Sequence, residues 1–390
     1  MRVALSVDAL SPELTGIGRY CWELASLLPA QPDVGDVRYF AGPHWYANPA
    51  TLLRPRIAKQ PRWLRKSLRW IGKHGLDALR RPKVDVVHGP NFLLPEWGEC
   101  GIVTVHDLSV FRFPETHPPE RVAALERDFD CSTRRAAHII TPSETIRQEV
   151  IAFTGRSPES VTAVYNGVGD LRPLSAEERW PHLRRLGLPV TGYGLTLSAL
   201  EPRKRIESLI DAWEGLPSGI RNVFPLVIAG AKGWRNQALH EKMERAAGQG
   251  WLIPLSFVSE DALAALYSGA SLFVYPSIYE GFGLPPIEAM ACGVPTVVAD
   301  ASCLPEVTGG AAMLTAPDDL PGFTTDLHRA LTDNWWRAEA SSAGLQIARQ
   351  YSWDRCTRET VAVYGKVLNS NSRNRLDAQS SQVSPPANGS

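Results

Sequence analysis

Short apolar runs alternate with amphipathic stretches along most of this chain, and that alternation restricts the fold more than any other feature. Runs at Val3–Val7, Val84–His88, Ile102–Val105 and His138–Thr141 form a first set. Runs at Gly194–Leu197, Pro225–Ala229, Ile253–Phe257, Leu272–Tyr275 and Thr296–Ala299 form a second. Brief, continuous apolar runs are how strands read when helices cover both faces of a parallel sheet. Between two of them, Ile206, Leu209, Ile210 and Trp213 follow the i, i+3, i+4, i+7 rule over 204–214, which predicts a helix with one buried face. Strand–helix alternation of this kind implies doubly wound α/β structure.

The chain has 390 residues, 44% of them hydrophobic, which suits two domains with separate cores. The pattern breaks after Gly169-Asp-Leu-Arg-Pro173, runs through a charged stretch to Gly187-Leu-Pro189, and restarts at Gly194. The expected division is 1–170 and 171–352, with similar architecture in both halves and no sequence repeat between them. A last helix over 353–368 carries Trp353, Thr360, Val361, Tyr364 and Leu368 on one face and is expected to pack back on the first domain. Residues 369–390, rich in Ser, Asn, Gln and Pro, are expected to be a disordered tail.

Basic and acidic residues balance at 41 each, which argues against a nucleic-acid partner. The six cysteines form no C-x-x-C pair and read as reduced thiols rather than disulfides or metal ligands. Met1–Asp8 lacks the apolar core and cleavage site of a signal peptide. No apolar run reaches the ~20 residues of a membrane span. A cytoplasmic location is expected, with one qualification. Residues 54–83 hold eleven Lys or Arg and a single acid, Asp77. Trp63, Leu64, Leu68 and Ile71 make a helical stripe there, with Arg62, Arg65, Lys66, Arg69 and Lys73 around it. Such a helix over 62–73 suits the anionic inner face of a plasma membrane; a core-packing helix with a charged exterior gives the same pattern.

The stretch Tyr275-Pro-Ser-Ile-Tyr-Glu280-Gly-Phe-Gly283-Leu-Pro-Pro286-Ile-Glu288 carries the most chemical information. A strand ends, two glycines let backbone approach a ligand, and prolines open a helix whose missing N–H costs nothing there. Free N–H groups at that helix start can hold an anion. Glu280 and Glu288 are carboxylate acceptors able to bind paired hydroxyls, so a sugar, a diphosphate and a ribose could lie along one loop. Glu288 could equally serve only the helix dipole, and Glu280 could be solvated. Glu201-Pro-Arg203-Lys204-Arg205 follows another strand end, and basic side chains in that position suit a diphosphate. No G-x-x-x-x-G-K-[ST] is present, so this is not a P-loop, and Gly16-Ile-Gly18 lacks the third glycine of a dinucleotide fingerprint. Asp128-Phe-Asp130 is a D-x-D in a charged helical stretch, read as a solvated face rather than a metal site. His88 and His106 each end a strand; His88 fits either acceptor contact or packing.

Taken together, these motifs resemble retaining family-four glycosyltransferases of the GT-B fold, two Rossmann-like domains facing across a cleft. Glu280 and Glu288 match the E-x7-E signature. Leu197-Ser-Ala-Leu-Glu201-Pro-Arg-Lys204 resembles the phosphate-binding segment, Thr104-Val-His106-Asp107-Leu108 the catalytic-histidine segment, and Thr15-Gly16-Ile-Gly18-Arg19-Tyr20 the first glycine-rich loop. Asn166-Gly167-Val168 before the linker is also typical, and the resemblance spans about 1–368.

The resemblance implies that Glu280 binds donor-sugar hydroxyls, Glu288 the ribose, and Arg203 with Lys204 the diphosphate. It implies that His106 contacts the donor sugar near the reacting carbon. The implied catalytic set is His106, Arg203, Lys204 and Glu280; the implied substrate-binding set is Gly16, Gly18, Val258, Gly281, Phe282, Gly283, Leu284 and Glu288. No cofactor and no metal are implied. The Glu-Pro-Arg-Lys form resembles members that use GDP-mannose, for a glycan or lipid-linked acceptor in surface polysaccharide synthesis. A UDP-sugar transferase and a non-catalytic nucleotide-sugar-binding subunit are the alternatives. One departure stands out: Ser198-Ala199 replaces the Gly-Arg of many relatives, so a phosphate-binding arginine is missing, and either Arg203 and Lys204 do more or Arg205 or Arg19 helps.

Overall fold

A computed structural model describes residues 1–54, 83–98, 100–190, 192–230, 237–256 and 258–381. The basic stripe at 62–73 lies outside the described residues. Two sheets organise the chain. The first contains β1 (Arg2–Ser6), β2 (Asp36–Ala41), β3 (His44–Tyr46), β4 (Val86–Gly89), β5 (Gly101–Thr104), β6 (His138–Thr141) and β7 (Val161–Ala163), in the order β3-β2-β1-β4-β5-β6-β7. Only the β2–β3 hairpin is antiparallel. The second contains β8 (Gly194–Leu197), β9 (Leu226–Ala229), β10 (Leu252–Leu255), β11 (Leu272–Tyr275), β12 (Thr296–Ala299) and β13 (Met313–Thr315). Its order is β10-β9-β8-β11-β12-β13, parallel throughout. That is the 3-2-1-4-5-6 order of a Rossmann sheet, whose direction of progression reverses between β8 and β11.

Each sheet is covered on both faces, which is why its strands are apolar without alternation. In the second sheet one face packs with Ile206, Leu209, Ile210 and Trp213, the stripe expected from spacing; the opposite face packs with Leu266, Tyr267, Ala289 and Leu304. Gly194 opens β8 because a Cβ there would lie 2.0 Å from the Trp213 ring. The first sheet buries Tyr20, Cys21 and Leu24 of the helix Gly16–Leu27 on one face and Phe129, Ile146 and Val150 on the other.

The helix that begins at Trp353 returns to the first sheet. Trp353, Cys356, Val361, Tyr364 and Val367 join the core of that sheet. His88 is fully buried there, its Nδ1 2.7 Å from the Tyr364 hydroxyl and its Nε2 2.8 Å from Thr104 Oγ1. Of the two readings of His88, packing therefore holds; it does not line the cleft. Burial drives its pKa down to about 3. The linker crosses the start of this helix at Gly167, where a Cβ would lie 2.1 Å from the Trp353 backbone nitrogen. The helix continues to Ser381, past Leu368, where composition alone suggested a disordered tail. Neither Gly nor Pro occurs between Asn369 and Ser381 to stop it. Among the described residues no helix is long and apolar enough to cross a membrane.

Candidate active site

Ligands of open α/β sheets sit beyond the carboxyl ends of strands, where strand order reverses. In the second sheet β8 and β11 are neighbours at that point, so the segments leaving them emerge side by side. The segment after β8 turns through a single 3₁₀ turn, Pro202–Lys204, before Arg205 enters the left-handed region at φ 53° and the helix Ile206–Glu214 begins. The segment after β11 runs Pro276 to Gly283, where φ of 84° favours glycine and starts the helix Leu284–Ala291. Arg203 and Lys204 are thereby brought against Glu280.

The contact is close and dry. Lys204 and Glu280 are 7% and 8% exposed. The Lys204 ammonium donates to Glu280 Oε1 and, at 3.1 Å, to the Tyr275 hydroxyl. Arg203 Nη1 lies 3.7 Å from Glu280 Oε2, donates to the Tyr279 carbonyl at 2.8 Å, and its Nε donates to Glu201 at 3.0 Å. Burial alone would raise the Glu280 pKa, but Lys204 and Arg203 outweigh it and hold the carboxyl down at about 2. Burial lowers the Lys204 pKa against the pull of Glu280. Ser302 Oγ and Cys303 Sγ donate to the Glu280 carbonyl at 2.8 and 3.2 Å, which fixes the loop from behind.

Glu288 lies midway along the next helix and sits differently. It is 7% exposed and accepts from the Tyr267 hydroxyl at 2.8 Å. Burial pushes its pKa up, opposed by Tyr267 and by the charge of Arg19. Arg19, on the helix Gly16–Leu27 of the first sheet, is near enough for its charge to act on Glu288, while its guanidinium donates to Glu260 of the second half. Arg205, by contrast, turns away to Asp318. Ser198, at the position of the missing arginine, is buried with no hydrogen-bond partner on its hydroxyl.

The first half supplies the opposing wall. A Cβ on Gly281 would lie 1.9 Å from the His106 carbonyl oxygen, so backbone meets backbone there and only glycine fits. Ser143 Oγ donates to the Gly281 carbonyl at 2.8 Å. Tyr279 crosses completely: its ring packs with Phe92, Val105 and Phe129, and its hydroxyl accepts from Leu108 N at 3.0 Å and donates to Glu149 at 2.6 Å. His106 donates from Nε2 to the Pro90 carbonyl at 2.8 Å, and its ring meets the edge of Tyr20. A carbonyl only accepts, so Nε2 carries the proton. Burial also lowers the pKa of His106, which favours the neutral ring. Gly16 stands 3.8 Å, measured from a built Cβ, from Leu284, so two helix N-termini face each other. Gly18 is crowded at 3.1 Å by the Ala9 carbonyl. The Phe282 ring packs with Ile287, Met290 and Tyr351, leaving its backbone to the loop, and Val258 is half-buried against the second core.

The comparisons with known proteins bear on this geometry. Residues 14–170 match the model for "Glycosyltransferase Family 4", and residues 191–344 the model for "Glycosyl transferases group 1". The O-antigen chain mannosyltransferase B of Escherichia coli is 35% identical over 379 residues, covering 93% of this chain and 99% of that protein. The chain is a family-4 glycosyltransferase. The serotype-specific mannosyltransferase WbdA of Escherichia coli is 32% identical over 247 residues, 60% of this chain and 29% of that protein. Among solved structures, sucrose-phosphate synthase from Thermosynechococcus elongatus superposes with a TM-score of 0.71 at 18% identity, covering 95% of this chain and 99% of that one. Anabaena HepE, in complex with UDP and glucose, gives 0.65 at 17% identity over 94% and 100%. These likenesses show the GT-B fold.

Several residues of the glycosyltransferase cleft carry no motif. Tyr267, Tyr275 and Tyr279 hold Glu288, Lys204 and the opposing wall; the first two come from apolar runs where a tyrosine reads as core, and Tyr279 stands beside Glu280 with no signal of its own role. Glu306 and Ser143 bridge the two halves from segments with no spacing signal of their own. Asp128 and Asp130 lie on the exposed face of the helix Pro119–Arg135, paired with Arg127 and Arg134. Among the described residues no group of three or more His, Cys, Asp or Glu is arranged to hold a metal.

Proposed function

We propose that this glycosyltransferase moves mannose from GDP-mannose to a glycan or lipid-linked acceptor in surface polysaccharide synthesis, with retention of anomeric configuration. The observation that carries the reading is the buried cluster of Lys204, Arg203 and Glu280 against the His106 wall. The name of the Escherichia coli relative, matched over nearly its whole length, supports mannose. In this account Lys204 and Arg203 take the charge that grows on the departing diphosphate. Cations and N–H dipoles already fixed in a dry cleft need no reorganisation to do so. Glu280 holds the pair of cations in place and offers its second oxygen to sugar hydroxyls. Glu288 takes the ribose hydroxyls, and the backbone of Gly16, Gly18, Gly281, Gly283 and Leu284 lines the phosphates. Arg19 replaces the arginine absent at Ser198-Ala199. His106, neutral and tethered to Pro90, presents Nδ1 to the donor sugar. The leaving phosphate assists deprotonation of the acceptor on the same face, without a metal.

We also propose a division at 170/171 with the Trp353 helix counted with the first half; the packing of Trp353, Cys356 and Tyr364 into the first sheet's core supports it. A cytoplasmic enzyme held at an anionic inner membrane face by 62–73 is the location we propose. Donor base is tested by thermal shift. A ligand that binds only the folded state raises the melting temperature by mass action. GDP and GDP-mannose should raise it more than UDP, ADP or their sugars. A larger shift with UDP would replace the donor with a UDP-sugar.

A further inference from the structure

Glu306 makes more contacts across the cleft than any residue of the motifs, and none of its partners belongs to the donor pocket. It lies in the short helix Leu304–Thr308 of the second half. Its Oε1 accepts from Glu144 N at 2.7 Å and from the Tyr165 hydroxyl at 2.7 Å. Its Oε2 accepts from Thr145 N at 2.8 Å and Thr145 Oγ1 at 2.5 Å. All four donors belong to the first half of the chain.

Two of those donors are the first backbone N–H groups of the helix Glu144–Thr154. The opening N–H groups of a helix have no partner within it. Ser143 caps this helix from within, but its hydroxyl accepts only from Ile146 N, at 3.3 Å. The N–H groups of Glu144 and Thr145 are left for an acceptor from elsewhere, and Glu306 is that acceptor. A carboxylate at a helix N-terminus is favoured by the dipole, and charge-assisted bonds of this length are strong ones. The Ser143 hydroxyl in turn donates across the cleft to the Gly281 carbonyl. One helix start therefore grips the second half at two points, Glu306 and Gly281.

Both points lead to Glu280. Gly281 is its neighbour. Glu306 follows Ser302 and Cys303, whose side chains hold the Glu280 carbonyl. Tyr165 also stacks edge-on to Phe282, ring centroids 6.4 Å apart. We infer that Glu306 is a positioning residue for the transfer step: a carboxylate from the donor half that caps an acceptor-half helix and so sets Glu280, Lys204 and Arg203 against the His106 wall only when the cleft is closed. The inference rests on the transferase reading of the cleft.

The test separates positioning from mere folding. Glu306→Ala should lower kcat by on the order of tenfold to a hundredfold, the scale of a small misplacement of reacting groups. GDP affinity and donor KM should change much less than kcat, because Arg203, Lys204 and Glu288 are all in the second half and only the first-half contacts of Gly16, Gly18, Arg19 and His106 loosen with the cleft. Small-angle X-ray scattering with GDP bound should show a larger radius of gyration for the variant. Glu306→Asp should recover part of kcat and Glu306→Gln little, since an amide nitrogen cannot accept from Thr145. Tyr165→Phe removes one donor from the opposite side and should lower kcat in the same direction, which keeps the test open if Glu306→Ala does not fold. Wild-type kcat in both Glu306→Ala and Tyr165→Phe overturns the inference. So does a loss of kcat matched by an equal loss of GDP affinity. If the wild-type protein turns over no nucleotide sugar, the transferase reading fails instead, and the scattering comparison still decides the latch.

Discussion

The two carboxylates of the signature are driven in opposite directions by their surroundings. Glu280 is held at about 2 because two cations outweigh its burial. Glu288 is raised because burial dominates over one tyrosine hydroxyl and a more distant arginine. Such divergence is how one site assigns different tasks to like residues. It has a consequence for acid stability. Glu280 titrates lower in the folded than in the unfolded chain, so its contribution is present above about 4.5 and is lost as pH falls toward 2. His88 acts over a higher window. Its pKa falls from 6.5 to about 3 on burial, so between those values the unfolded chain binds a proton that the folded chain refuses. Stability therefore drops as pH is lowered through that window. Glutamine at this position can keep partners for Tyr364 and Thr104 without titrating. His88→Gln should flatten the fall in melting temperature between pH 6.5 and 4, measured by circular dichroism; an unchanged slope would mean that His88 is not the buried neutral group described here.

At the scale of elements, the longer strands and the helix stripe of Ile206 to Trp213 were legible because burial on both faces leaves an uninterrupted apolar run. β2 was not, because Asp36 and Arg38 interrupt its apolar pattern. β7 and β13 are three residues each, too short to show a period. The continuation of the last helix to Ser381 was missed because composition was weighed above the absence of a helix breaker. Glycines were legible as backbone needs but not as contacts. Gly167 reads as part of a linker motif, yet its role is steric: the linker crosses the Trp353 backbone there. Gly167→Ala should destabilise the protein by roughly 1–3 kcal/mol, the usual cost of overpacking, read as a lower urea midpoint with an unchanged slope. A wild-type midpoint would show that the crossing is looser than a Cβ.

For the whole molecule, what the motifs disclosed is one side of each contact. Arg203, Lys204, Glu280 and Glu288 stand out in sequence because strand ends, glycines and prolines frame them. The tyrosines that orient them read as core residues of the same segments, and the Glu306 and Ser143 bridges come from segments brought in only by the two sheets and their facing edges. The substitution at Ser198-Ala199 shows the same limit. The loss was visible in sequence, but only the fold separates Arg19, which reaches across toward Glu288, from Arg205, which leaves for Asp318.

The central claim is that the Lys204–Arg203–Glu280 cluster is the place where a nucleotide sugar gives up its sugar. It is tested most directly by turnover of GDP-mannose on an oligomannoside acceptor, followed as GDP release and mannosylated product in the presence of EDTA. The account predicts turnover by the wild-type protein and a loss on the order of a hundredfold or more in Lys204→Ala, the scale of removing one preorganised charge donor. Near-normal turnover by Lys204→Ala, at intact folding, would contradict it.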